Sequence, residues 1–299
     1  MDVPASLTTR ALTSADAEAV FAVAAADEEA ALGRVEVELA DIIADWQRPS
    51  FDLSSRSVGV FDNDLLVGYG QLTYPERGEA AVLPAYLGQG IGTALAGWLQ
   101  QTARAHGATV VGMPVPEGSA GDRLLTSLGY HIRWTSWVLH LPEGASVPDR
   151  ELPQGYAVRQ VGQEEYLEAH DVVEDAFLEW SARDRESFGD FEAEVILRPG
   201  FEPWHLRAVL DPGGRVAAVA SLSVTDDDEV YVSKLATRAD QRGRGLAQCL
   251  LLDCFAEGRR HGGARFGLST DSRTGALGLY QKVGMTVSGV WVHRAIHLT

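Results

Sequence analysis

Apolar and polar positions along this chain follow two rhythms, and both rhythms recur. The stretches "SADAEAVFAVAAADEEA" from Ser14 and "EEYLEAHDVVEDAFLEW" from Glu164 set apolar residues at helical spacing among acidic ones, which predicts amphipathic helices. Each is followed by an apolar-polar run, "RPSFDLSSRSVGV" from Arg48 or "RPGFEPWHLRAVL" from Arg198. Each run then passes through a polar turn, "FDNDLLVG" or "LDPGGRVAA", as a β-hairpin does. Alternation from Val230 to Ala236 predicts a further strand. The helices "GTALAGWLQQTARAHG" and "GLAQCLLLDCFAEGRRHG" come next, then short strands, a second helix, and last strands "HIRWTSWVLHL" and "VSGVWVHRAIHL". The fold class is α/β: two tandem units of about 150 residues, an ordinary domain size, each a sheet flanked by helices.

The two halves keep register. Arg, Pro and Phe of the first hairpins recur at a separation of 150, and Gly90 matches Gly245 at a separation of 155. "RAHG" and "RRHG", and Gly129 and Gly284, keep that second separation. The second half therefore carries five extra residues before its glycine loop, around "TDDDEVYVS". The stretch "LPEGASVPDRELPQG" is rich in proline and glycine and predicts a linker. The expected boundaries are 1–143, a linker over 144–155, and 156–299.

Composition narrows the function. A formal charge of −17 argues against nucleic acid or an anionic membrane as the main partner and suits a cationic substrate. The two cysteines, Cys249 and Cys254, are too few for a disulfide framework and read as buried thiols on one helix. No apolar run is long enough to span a bilayer and no leader pattern opens the chain, so the expected location is the cytoplasm. His205, His261 and His293 lack metal-ligand spacing, so no metal is expected, and Trp204 reads as a packing residue.

"RADQRGRGLAQCL", from Arg238, joins the predicted strand to a helix. Gly243 and Gly245 let the backbone turn tightly, and the N–H groups opening the helix, with the helix dipole, favour an anion. Arg242 and Arg244 add charge suited to phosphate oxygens. A plain strand-to-helix turn with a surface ion pair is the competing reading. The run Arg242-Gly243-Arg244-Gly245-Leu246-Ala247 resembles the R/Q-x-x-G-x-G/A motif of the GCN5-related N-acetyltransferases (GNAT). "TGALGLYQKVGM" resembles that family's second signature, with Ala276, Leu279, Tyr280 and Gly284 in place and Met285 where phenylalanine is usual. The paired architecture resembles the tandem acetyltransferases of actinobacteria, of mycothiol-synthase-like type.

The resemblance implies a mixed, mostly antiparallel sheet in each half. It also implies acetyl-CoA as donor, with pyrophosphate on the loop from Arg242 to Ala247, and Tyr280 as the acid that protonates the departing thiolate. Backbone near Leu235, Ala236 and Thr237 would hold the thioester carbonyl. Arg273 stands where the family often has asparagine and is counted among the cofactor-contacting positions. Glu229 is the candidate base, sharing a strand face with Tyr231 and Ser233 by period two; "DDDE" reads equally as a solvated hairpin tip, or as a cluster that attracts a cation. Glu179 and Trp180 fall where such folds vary their acceptor site.

Register also separates the halves. Arg242 and Arg244 correspond to Leu87 and Gln89, and Tyr280 to Leu125. The first half thus reads as a degenerate copy, a scaffold or pocket wall, and the second as catalytic. The expected function is acetyl transfer to a primary amine of a small molecule, in specialised metabolism or antibiotic resistance. Alternatives are an acyl or aminoacyl transferase drawing on a carrier protein or aminoacyl-tRNA, and a non-catalytic CoA-binding module.

Overall fold

Unbroken apolar runs need cover on both faces. "VAAVASLSV" is the clearest, and Val216 to Ser223 are all buried in the computed structural model. The structure describes residues 1–145, 148, 150–225 and 227–298. Ser146, Val147 and Asp149 of the expected linker, and Asp226 of the acidic run, lie outside the described residues.

The strands are β1 (Thr8–Arg10), β2 (Ser57–Asp62), β3 (Leu65–Tyr74), β4 (Arg77–Val82), β5 (Val110–Pro116), β6 (His131–His140), β7 (Ala157–Gln160), β8 (Leu206–Leu210), β9 (Val216–Val224), β10 (Glu229–Thr237), β11 (Arg265–Asp271) and β12 (Thr286–His297). The helices are α1 (Ala17–Leu32), α2 (Leu39–Gln47), α3 (Leu53–Arg56), α4 (Ile91–Ala105), α5 (Ala120–Ser127), α6 (Tyr166–Leu178), α7 (Phe188–Phe191), α8 (Leu246–Arg260) and α9 (Leu277–Lys282). Past the glycine loop the separation of 155 holds: α4 maps onto α8 and β5 onto β11 residue for residue. No helix among the described residues is long and apolar enough to cross a membrane.

The chain forms two compact units, Met1–Thr135 with Gly289–Thr299, and Ser136–Ser288. They are not the consecutive segments that the linker composition suggests. The first unit orders its strands β1-β2-β3-β4-β5 and closes on the C-terminal part of β12, Trp291 pairing with Pro116 and His297 with Val110. The second begins with the end of β6, then β11-β10-β9-β8-β7. Pairing is antiparallel except for β4 with β5 and β10 with β11.

In the second unit two apolar layers cover the sheet. One joins α8 (Leu250, Leu251, Phe255) to Val230, Val232 and Leu268. The other joins α6 (Ala169, Val173) to Val219 and Ala236. Tyr280 lies in the first layer and is 7 % exposed. Cys249 and Cys254 are buried free thiols, and Trp204 is a core residue stacked on His261 at 4.1 Å.

Candidate functional site

In the second unit the parallel pairing is short. Glu229 to Val232 run beside Arg265 to Leu268. A bulge between Val232 and Lys234 then turns β10 away, and from Lys234 to Thr237 it pairs with β9 on one edge and, among the described residues, with no strand on the other. Meanwhile β11 continues to Asp271 against β6. The two strands splay into a wedge, with α8 opening at the end of β10 and α9 following β11. In the first unit the parallel pairing is reduced to Arg77 with Gly112, because β4 begins three residues later in the repeat than β10, the other two of the five extra residues lengthening the turn before β10.

The loop into α8 turns on Gly243 (φ 74°) and Gly245 (φ 81°), and the first-unit loop repeats this with Gly88 (φ 76°) and Gly90 (φ 86°). The first α8 hydrogen bond from the loop runs from the Cys249 N–H to the Gly245 carbonyl, at 3.1 Å. The N–H groups of Leu246, Ala247 and Gln248 precede it and have no helical acceptor. Leu246 is buried and anchors the turn. Among the described residues Arg244 is exposed and makes no hydrogen bond or ion pair. Arg242 is engaged: its guanidinium forms a bidentate pair with Glu179 at 2.6 and 2.8 Å, and its Nε donates to the Thr237 carbonyl at 3.1 Å. The sequence assigned Arg242 to phosphate and Glu179 to the acceptor; the structure brings the two together. The Arg242 hydrogen bond holds the Glu179 carboxyl below its ordinary range.

Trp180 lies under the Arg273 guanidinium, 4.8 Å from the ring centre, and Arg273 is paired with Asp271 at 2.6 Å. The end of α6 thus reaches the β10 side of the wedge through Glu179 and the β11 side through Trp180. On β10, Leu235 packs against the α8 layer, Ala236 against the α6 layer, and the Ser233 Oγ donates to the Ser221 carbonyl at 3.2 Å.

The acidic run divides. Asp227 is exposed and paired with Arg265, and Asp228 sits in the turn at φ 62°. Glu229 faces inward, with its side chain 14 % exposed and its Oε1 3.0 Å from His140 Nε2. Tyr231 is half-buried beside it, as the period-two reading expects up to the bulge. Burial pushes the Tyr280 phenol up to about 12, so it stays protonated across the working range.

Several residues of this region carried no sequence signal. His140 and Ser288 arrive from β6 and β12, far from the motifs. Arg150, within the expected linker, lays its guanidinium against Gly245 and bonds Gln248. Lys234, just past the bulge, is paired with Glu194 at 3.0 Å; burial pulls its ammonium down, but Glu194 and Glu186 outweigh it and the net shift is upward. Burial, reinforced by Glu194 and opposed by Lys234, raises Glu186 to about 7, and its Oε1 is buried without a hydrogen-bond partner among the described residues. A carboxyl raised in the folded state costs stability as pH rises from its unfolded range through the folded value. Glu186→Gln should therefore raise Tm by a few degrees at pH 8, and leave it nearly unchanged at pH 5, in thermal melts. An equal gain at both pH values would disprove the titration.

The acetyltransferase (GNAT) family model matches residues 18–130 and 167–285, once in each half. Two curated relatives are mycothiol acetyltransferases. That of Salinispora arenicola is 31 % identical over 267 residues, covering 81 % of this chain and 80 % of the relative; that of Salinispora tropica is 30 % identical over the same shares. Among solved structures, a GCN5-related N-acetyltransferase from Sphaerobacter thermophilus superposes with TM-score 0.76 at 24 % identity, covering 99 % of this chain and 97 % of that one. A tandem GNAT protein from the clavulanic acid biosynthesis pathway gives 0.74 at 17 % identity, over 98 % and 99 %. With one family match in each half and relatives at this identity over four-fifths of its length, the chain belongs to the acetyltransferase (GNAT) family and is an acyltransferase of tandem architecture.

Proposed function

We propose that the chain moves an acetyl group from acetyl-CoA to a primary amine of a small molecule, by direct transfer within the second unit. The observation that carries this reading is a difference between the units. Only the second combines, among the described residues, a splayed parallel strand pair, a glycine turn flanked by arginines, and a buried phenol after the next strand.

In this reading the N–H groups of Leu246, Ala247 and Gln248 receive pyrophosphate, with Arg244 supplying charge. Arg242 keeps its pair with Glu179 and shapes the loop. The thioester carbonyl lies on the unpaired edge of β10 near Leu235 to Thr237, where a backbone N–H stabilises the oxyanion. Arg273 lines the donor side. The acceptor amine enters over Trp180, Glu179, Tyr231 and Ser233 and gives a proton to Glu229. Its lone pair then attacks the carbonyl carbon, the tetrahedral intermediate expels the thiolate, the thiolate takes the Tyr280 proton, and the second proton shed by the nitrogen as the amide forms restores the phenol through water. Burial that raises the phenol also raises the basicity of a thiolate released beside it, which keeps donor and acceptor of that proton comparable.

The donor ties the reaction to the cytoplasm. The acceptor class includes amines of specialised metabolism and amine-bearing antibiotics, and the name of the curated relatives adds a mycothiol-type amine to any panel. The test is calorimetric titration with acetyl-CoA, followed by thiol release against that panel. One site per chain, weakened about tenfold by Arg244→Ala, is expected from loss of one charged contact. Absence of binding would overturn the acetyl-CoA reading and direct attention to carrier-protein and aminoacyl-tRNA donors.

A further inference from the structure

The Glu229 carboxylate crosses the sheet to reach His140. The register explains how: Tyr231 pairs with Gly267 on β11, and Gly267 pairs with His140 on β6. A Cβ at Gly267 would collide with Glu229 Oε1 and lie 3.2 Å from the His140 ring. The φ of Gly267 is not in the left-handed region, so the backbone does not require glycine there. The space does. On the far side of the ring, Nδ1 lies 2.6 Å from Ser288 Oγ, and that oxygen lies 3.3 Å from the Val138 carbonyl.

These contacts set proton positions. A base must be ionised, and an ionised carboxylate only accepts hydrogen bonds, so Nε2 carries a hydrogen toward Glu229. In the neutral ring Nδ1 then accepts from the Ser288 hydroxyl. If the ring is charged, the hydroxyl turns to the Val138 carbonyl and accepts from Nδ1 instead. Ser288 therefore holds the ring in place in either state, and the ring holds Oε1. The other oxygen, Oε2, is 3.6 Å from Arg265 Nε and, among the described residues, faces no closer ion-pair partner. It is the oxygen left for an incoming amine.

We propose that His140, braced by Ser288, is a positioning residue that orients Glu229 as proton acceptor, and that Gly267 exists to let the pair form. This rests on the acetyl-transfer reading. The triad is assembled from β6, β10 and β12, and neither family motif contains any of its members.

The experiment has two arms, chosen so that the two ideas fail separately. The first needs no turnover: long-range proton–nitrogen correlation spectra of histidine-labelled protein. The expected result is a His140 signal of the Nε2–H form, displaced in Glu229→Gln and in Gly267→Ala; an identical signal in all three proteins would overturn the pair. The second arm measures thiol release from acetyl-CoA with the most active amine of the panel, on variants whose melting matches the unmodified chain. His140→Ala and Gly267→Ala should lose about tenfold or more in kcat with KM within twofold, since misplacing a catalytic group costs rate rather than affinity. His140→Gln, whose amide still donates to Glu229, should keep most of kcat, and added imidazole should restore part of the loss in His140→Ala. Unchanged kcat in His140→Ala and Gly267→Ala, a loss confined to KM, or His140→Gln falling as far as His140→Ala would overturn the positioning role. A chain that shows the Nε2–H signal but acetylates no amine would overturn the acetyl-transfer reading, and the positioning role with it, while leaving the pair intact.

Discussion

Tyr280→Phe is expected to lower kcat about a hundredfold to a thousandfold with little change in the KM of either substrate, because proton donation contributes on that order to the chemical step. The substitution removes one oxygen from a residue that is 7 % exposed and packed in the α8 layer. Phenylalanine fills nearly the same volume, so Tm should stay within a few degrees. Wild-type kcat in this variant would assign Tyr280 to packing alone, and would leave thiolate protonation to solvent. The phenol is held up to about 12 by burial, so no basic limb from it should appear in the pH–rate profile below about pH 11. Binding of acetyl-CoA should be unaffected, which separates this residue from the loop.

Gly245→Ala should weaken acetyl-CoA about tenfold to a hundredfold, whereas Gly90→Ala should leave acetyl-CoA affinity and turnover unchanged. Both glycines sit at left-handed φ, 81° and 86°, so both substitutions should cost about 1–2 kcal/mol of stability. They differ in surroundings. A Cβ at Gly245 meets the Arg150 guanidinium, while a Cβ at Gly90 meets nothing within 4 Å. More importantly, the Gly245 turn presents the N–H groups of Leu246 to Gln248 beside Arg244, and each charge-assisted hydrogen bond lost there costs about 1.5–3 kcal/mol. Paired melts and titrations decide the matter. Equal loss of affinity in both variants would mean that the first-unit loop also binds donor, and the assignment of one catalytic unit would fall.

Much of the fold was legible because it is periodic. Helical spacing of apolar residues marked α1, α6, α4 and α8, and the repeat separation carried each element of one half onto the other. The five-residue difference was visible too, and it became a longer turn and a three-residue extension of β10 that lengthens the parallel pairing. The bulge after Val232 was not, since the polar pair Ser233-Lys234 interrupts the alternation without saying that the backbone turns away there. Glu179 and Arg242 were each singled out for different partners. Only the packing of α6 against the loop made them partners of one another.

The unit boundaries show the same limit. Proline and glycine in "LPEGASVPDRELPQG" mark a break between strands, and composition cannot say which unit each flanking strand joins. That choice depends on long-range pairing, which places Trp137 to His140 on β11 and Trp291 to His297 on β5.

By itself the sequence determined the repeat, the glycine turns, the positions of Arg244 and Tyr280, and their replacement by Gln89 and Leu125 in the first half. These are local properties: backbone freedom, side-chain type and spacing along a single element. The tertiary structure alone decided that Glu229 leaves the acidic tip and lies over Gly267 against His140, with Ser288 behind the ring. Residues 89 and 148 positions apart meet there because strand pairing sets His140 beside Gly267 and Glu229 reaches over that glycine from two residues along β10, and no spacing rule along a chain encodes a neighbour supplied by strand order.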